Sequence, residues 1–164
     1  MEVYLIRHAE SDFNVNPMDD KYADHCHLIQ NGINQCNQLK KKLEDIKFDH
    51  VILSPLKRCI DTYNLTISKH ESMIVLDECR EYKQNKCDFL SNEIIVYESE
   101  QDILNRTKKF MLLLNELYKT NKYKKIAVFT HADFIFYLTC ETVDEEYYGH
   151  WLDNTEYKII IVRE

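Results

Sequence analysis

Two short apolar runs constrain the architecture of this chain more than any other feature. Ile126-Ala127-Val128-Phe129 is near-continuous, the pattern of a strand covered on both faces. Val3, Leu5 and Ile6 form a second such run within Met1 to Ile6. His50 to Leu53, Ser72 to Leu76 and Tyr157 to Val162 read as three further strands. Between them the apolar period changes to that of a helix. Cys36, Leu39, Leu43 and Ile46 share one helical face; so do Leu56, Ile60, Tyr63 and Ile67, and again Ile103, Thr107, Phe110, Leu114 and Leu117. Strands that alternate with helices predict an α/β fold, a three-layer α/β/α sandwich with a mainly parallel central sheet. The whole of residues 1–164 is read as one domain, which is the size such a core needs.

Local signals place the element ends. Asn31-Gly32 closes the polar loop that follows Asn14, a loop containing Pro17, Asp19, Asp20 and Lys21, and a helix is expected after it. Ser54-Pro55 reads as a helix start, with a capping hydroxyl and Pro at the first helical position. Ser99-Glu100-Gln101-Asp102 reads as a variant capping box. A short helix is expected from about Asp133 to Cys140, and Glu141 to Tyr148 as a further acidic helix or loop. Residues 82–98 have no clean period and are expected to lie irregularly over a pocket.

In a parallel sheet the carboxyl ends of the strands share one edge, where α/β proteins bind ligands. The first strand delivers Arg7 and His8 there, and the second Ser54 and Arg58. The third delivers Glu78 or Glu81, and the fourth Thr130 and His131. Each is unremarkable alone, since a single Arg after a strand is usually a surface residue. Together they predict two guanidinium groups, two imidazoles and a carboxyl in one crevice. Guanidinium forks match phosphate oxygens and stay charged at any working pH. A neutral His8 could attack phosphorus, and a carboxylic acid of raised pKa could protonate the leaving oxygen.

The formal net charge is −7, with 28 acidic against 21 basic residues, which disfavours nucleic acid and anionic membranes as partners. A site for an anion must then be a local concentration of Arg and His. No run approaches the roughly 20 apolar residues that span a bilayer, and no basic region leads into an apolar one at the start, so a signal peptide is not expected. Six cysteines without a Cys-x-x-Cys spacing suggest reduced thiols and a cytoplasmic protein. Asp24-His25-Cys26-His27 invites a metal reading, but adjacent ligands rarely converge on one ion; a solvated loop is expected there, with no metal and no cofactor.

Arg7-His8-Ala9-Glu10-Ser11 with Asn14 resembles the signature of the histidine phosphatase superfamily, in its phosphoglycerate mutase-like branch, which reads Arg-His-Gly-Glu-Ser followed by Asn. Ser54-Pro55-Leu56-Lys57-Arg58-Cys59-Ile60-Asp61-Thr62 is similar to the family's Ser-Pro-Leu-x-Arg-Ala-x-Gln-Thr, Thr130-His131 to its second histidine, and Asn154-Thr155-Glu156 to its late Asn-x-Glu. The resemblance implies a phosphomonoester hydrolase without cofactor. In it His8 is the nucleophile, Arg7, Arg58 and His131 surround the phosphate, and Asn14 is a further phosphate ligand. For the acid, Cys79-Arg80-Glu81-Tyr82 resembles the phosphatase pattern and Leu76-Asp77-Glu78 the mutase one; Glu81 is preferred and Glu78 is the alternative. Ala9 replaces a usual Gly, which narrows the approach to the phosphate if that position needs positive φ. Ala132 stands where the family has a small Gly or Ser.

The implied partner is a small phosphorylated substrate or a phosphopeptide. Tyr22, Tyr82 and Phe89 are candidates to stack on its leaving group, although aromatics there equally serve as packing. Two other readings remain: a phosphoglycerate mutase, or a catalytically dead phosphate-binding module of the same fold. Family mutases are longer, with a tail that keeps water out, so the early end after Asn154-Thr155-Glu156 favours hydrolysis.

Overall fold

The computed structural model describes residues 1–17 and 20–163; Asp19, expected in a loop, lies outside them. The central sheet has the order β3-β2-β4-β1-β7, from β1 (Glu2–Arg7), β2 (His50–Leu53), β3 (Met73–Val75), β4 (Lys125–Thr130) and β7 (Tyr157–Ile161). β1, β2, β3 and β4 run parallel and β7 is antiparallel to β1. The helices α1 (Asp12–Val15), α2 (Gln30–Leu43), α3 (Lys57–Thr66), α4 (Glu100–Lys119) and α5 (Ala132–Leu138) follow the strands along the chain.

The two-residue period of the strands sorts the core into two layers. Val3 and Leu5 of β1 and Ile126 and Val128 of β4 face Ile103, Phe110 and Leu114 of α4 and Phe134 and Ile135 of α5. Tyr4, Ile6, Ala127 and Phe129, the alternate positions, face Leu39 and Leu43 of α2 and Cys59 and Tyr63 of α3. Helices therefore cover both faces, and the expected three-layer architecture with its mainly parallel sheet is observed.

Four local readings change. Asn31-Gly32 does not end the loop but lies in the first turn of α2. A Cβ on Gly32 would sit 2.1 Å from the Glu10 backbone oxygen, so Gly is there to let the helix touch the chain after β1. Ser54 does not cap α3; the helix begins at Lys57 with Leu56 as N-cap, and the Ser54 hydroxyl is engaged elsewhere. The buried side of α3 is Arg58, Cys59, Thr62, Tyr63 and Thr66 rather than the Ile60 and Ile67 stripe, because this face carries the site as well as the core. Residues 141–148 are neither helix nor loop but a hairpin of β5 (Glu141–Val143) and β6 (Glu146–Tyr148). Asp144 and Glu145, with φ of 51° and 67°, form its turn; positive φ at both central positions suits the right-handed twist of the strands. Ser99 caps α4 as expected, with Asp102 returning the bond to complete the box.

Candidate active site

The parallel register sets Arg7 beside Thr130, and Leu53 beside Phe129, so three strand ends finish level. A crevice of about 180 Å³ opens over that edge, lined by Arg7, His8, Phe13, Asn14, Arg58, Glu81, Asn85, Asp88, Ala132, Asp133 and Trp151. Residues from position 7 to position 151 thus meet in one hollow.

His8 is 2% exposed. Its Nδ1 donates to the Ala9 carbonyl at 2.7 Å, since a carbonyl can only accept. The ring is therefore neutral with its lone pair on Nε2, which receives the Arg58 Nε–H at 3.3 Å. Burial, then the Arg58 charge, holds its pKa well below the ordinary imidazole value. Its backbone is equally fixed: the Asn154 amide donates to the His8 carbonyl at 2.9 Å, and Thr155 N–H to that of Arg7 at 3.2 Å. Asn154-Thr155-Glu156 thereby clamps the end of β1. Ala9 N–H donates to Thr62 Oγ1 at 2.9 Å. Ala9 is not among the residues of positive φ, so its methyl group strains nothing at that position.

Arg58 is buried, and three of its five N–H groups have partners in the protein. Nη2 pairs with Asp88 at 3.0 Å and Nη1 donates to the Cys87 carbonyl at 2.8 Å. Asp88 Oδ2 in turn accepts the N–H of Asn85 at 2.8 Å and of Gln84 at 3.2 Å. A guanidinium in the first turn of a helix on its buried side needs such a counter-charge. Arg7 donates Nη1 to the Leu152 carbonyl at 2.7 Å, lies 5.6 Å over the Trp151 ring, and leaves a buried Nε without a hydrogen-bond partner.

His131, 0% exposed, sits 5.2 Å from the His8 ring, centroid to centroid. Its Nε2 is 2.7 Å from Ser54 Oγ, which is where the hydroxyl expected to cap α3 is used. Burial, then Arg58, also pushes its pKa well below the ordinary value. His131 itself does not line the crevice; it backs His8 from within the protein.

Glu81 lines the crevice, its Oε1 accepting the N–H groups of Tyr82 at 3.0 Å and Phe134 at 3.2 Å. Burial first, then the neighbouring charges of Asp133 and Asp88, push its carboxyl up to about 8. Glu78, the alternative acid, is exposed and lies outside the crevice, because the turn Asp77–Cys79 directs Cys79, not Glu78, inward. Asn14 lines the crevice while its Oδ1 accepts the Ser11 N–H at 2.9 Å.

Of the aromatic candidates, none lines the crevice. Phe89 is 2% exposed, Tyr82 packs edge-on against Tyr137, and Tyr22 lies under the Lys86 ammonium. Phe13 and Trp151 are there instead. In residues 24–27, Cys26 is buried while His25 and His27 are exposed. Sequence reasoning also missed Asp133, and Asp88 as the partner of Arg58. The signal for Asp88 was present: a buried Arg calls for an acid, and Cys87-Asp88 is the nearest acid in the irregular segment that covers it. Asp133 gave none beyond its place two residues after His131.

The arrangement is that of an anion site in an α/β sheet edge, with a neutral imidazole at its floor, two guanidinium groups beside it and a carboxyl of raised pKa at its wall. A family model described as histidine phosphatase superfamily (branch 1) matches residues 3–96. The chain belongs to that superfamily. A 2,3-bisphosphoglycerate-dependent phosphoglycerate mutase of Thermoplasma acidophilum is 31% identical over 74 residues, which are 45% of this chain and 37% of that protein; the match spans well under half of the relative. Among solved structures, a phosphoglycerate mutase of Bacillus anthracis has a TM-score of 0.75 at 18% identity, covering 97% of this chain and 86% of that one. A phosphoserine phosphatase variant of Entamoeba histolytica in complex with phosphoserine has a TM-score of 0.69 at 21% identity, covering 99% and 91%. These likenesses show the fold, which is phosphoglycerate mutase-like. No helix among the described residues is long and apolar enough to cross a membrane.

Proposed function

We propose that this protein is a phosphomonoester hydrolase that works through a phosphohistidine on His8. The observation that carries the reading is the pairing, in one crevice, of a neutral His8 with its lone pair on Nε2 and a Glu81 whose carboxyl is pushed up to about 8. The phosphoryl group of a small phosphorylated substrate or a phosphopeptide enters between Arg7 and Arg58, with Asn14 beside it. Nε2 attacks phosphorus, the bond from phosphorus to the alcohol oxygen breaks, and Glu81 gives that oxygen its proton. The ring becomes cationic, and the Nδ1–H bond to the Ala9 carbonyl takes up part of the charge. Water then attacks phosphorus, its proton passes to the Glu81 carboxylate, and the N–P bond breaks to restore neutral His8. His131 supports the His8 ring and adds to the electrostatics of the bound phosphoryl group. The same reading takes residues 1–164 as a single domain without cofactor.

A phosphoglycerate mutase is the second reading, favoured by the 31% identity to a relative of that name. Both readings use the same phosphohistidine and differ in what accepts the phosphoryl group, water or a second hydroxyl. A screen of sugar phosphates, nucleotides, phosphoglycerates and phosphopeptides for release of inorganic phosphate tests the first. Release is expected from some of them and is expected to fall by at least about 10³-fold in His8→Ala, as when a nucleophile is removed. Undiminished release without His8 sinks the phosphohistidine. Conversion of 3-phosphoglycerate to its 2-isomer without phosphate release establishes the mutase, and binding of phosphopeptide without either reaction establishes the inactive module.

A further inference from the structure

The crevice holds three acids, and two have their work. Asp88 is bonded to Arg58 through one oxygen and to two backbone N–H groups through the other. Glu81 accepts two backbone N–H groups and carries a proton near neutrality. The third, Asp133, is half-buried, and its carboxylate accepts no hydrogen bond and forms no ion pair with any described residue. Burial and the Asp88 charge push its pKa up, and Arg7, at longer range, opposes them. Asp133 cannot drift away from the crevice, because its chain neighbours Ala132 and Phe134 are buried in the first turn of α5.

An unpaired carboxylate beside a phosphate site repels the bound anion and weakens the site it lines. A substrate that brings its own positive charge converts that repulsion into attraction. We propose that Asp133 is a specificity-determining residue that receives a protonated amine on the alcohol portion of the substrate, so that the favoured substrates are phosphomonoesters of amino alcohols. This rests on the phosphatase reading of the crevice. The aromatic lining agrees with it: Phe13 and Trp151 share the crevice, Trp151 is 57% exposed, and ring faces attract ammonium groups. The size agrees too. About 180 Å³ holds on the order of six water-sized groups at roughly 30 Å³ each, enough for a phosphoryl group and a short amine chain. A divalent cation is the other positive group a carboxylate attracts, but no cluster of three metal-ligating side chains occurs among the described residues.

The test compares O-phosphoethanolamine with propyl phosphate, in which a methyl group stands where the ammonium is. Equilibrium binding by calorimetry and phosphate release are measured for the wild type, Asp133→Asn and Asp133→Glu, without added metal. The wild type is expected to bind the amine at least about tenfold more tightly than its isostere. Asp133→Asn is expected to lose that preference by weakening the amine and not propyl phosphate, and Asp133→Glu to keep most of it. Equal affinities in the wild type, or an equal loss of both ligands in Asp133→Asn, overturn the inference. So does an amine preference that appears only with added divalent metal. Phosphate release from both substrates with no amine preference removes the role of Asp133 and leaves the hydrolase standing. An amine preference in binding without release from either does the reverse.

Discussion

Glu81 shows how a residue needed for proton transfer weighs on the fold. Its carboxyl rises from an ordinary 4.5 to about 8 because burial and the charges of Asp133 and Asp88 oppose ionisation. The unfolded chain ionises freely above about 4.5, so the stability tied to the protonated group is full below that pH and is lost as pH rises through about 8. Glu81→Gln keeps an oxygen for the Tyr82 and Phe134 N–H groups and never ionises. Thermal midpoints measured from pH 4.5 to pH 8.5 are expected to favour Glu81→Gln by a margin that grows with pH, while phosphate release falls at least about 10²-fold, as for loss of a general acid. A variant less stable than wild type at pH 8 contradicts the assignment of a buried, protonated Glu81. Asp88 weighs the other way. Arg58 is 4% and Asp88 2% exposed, so removing one partner strands a charge. Asp88→Ala is expected to cost roughly 3–5 kcal/mol in urea unfolding, far more than the median surface pair.

Elements meet the site through contacts only a few atoms wide. The start of α2 lies against the Glu10 backbone, where Ile29 N–H donates to the Glu10 carbonyl at 3.1 Å and Gly32 leaves no room for a side chain. Gly32→Ala drives a methyl group into the Glu10 carbonyl and is expected to cost roughly 1–3 kcal/mol, as other overpacked sites do. Because the displaced chain leads directly from His8, phosphate release is expected to fall with stability. A Gly32→Ala protein as stable as wild type shows that α2 can move away freely. Ser54 and Ser99 were both expected to cap helices, and they divide. Ser99 returns a bond to the first turn of α4, whereas Ser54 sits 2.7 Å from His131 at the site.

Across the whole molecule, two buried imidazoles are held as neutral groups, His8 at the crevice floor and His131 behind it. Burial and Arg58 hold His8 and His131 well below the ordinary imidazole value. The unfolded chain takes up protons at these rings near pH 6.5 and the folded one does not until lower pH. Their contribution is present above about pH 6.5 and is lost as pH falls toward the folded values. The urea midpoint is expected to drop between about pH 7 and pH 5.5, and the drop to shrink in His131→Asn. An unchanged acid slope in that variant would mean that His131 is already charged in the folded protein. The net charge of −7 adds no help for an anionic ligand, so the pull of the crevice comes from Arg7 and Arg58 alone among its lining residues.

The chain order of strands and helices and the capped start of α4 were legible because these signals are short-range. A side-chain period of two or 3.6, or a Ser three residues before an Asp, is set by neighbours along the chain. So was the meeting of Arg7, His8, Arg58 and His131 near one edge, since each follows a strand, and parallel strands must bring such ends together. The hairpin at 141–148 was missed because Glu145 stands where such a two-residue turn usually has Gly, so Asp144-Glu145 carries only half of the turn signal. Glu78 and Glu81 could not be separated by spacing, because which one faces the crevice depends on how one turn, Asp77–Cys79, leaves the sheet. Asp88, Asp133 and Trp151 enter the site through loops and one short helix. Their places follow from long-range packing, which only the folded chain specifies.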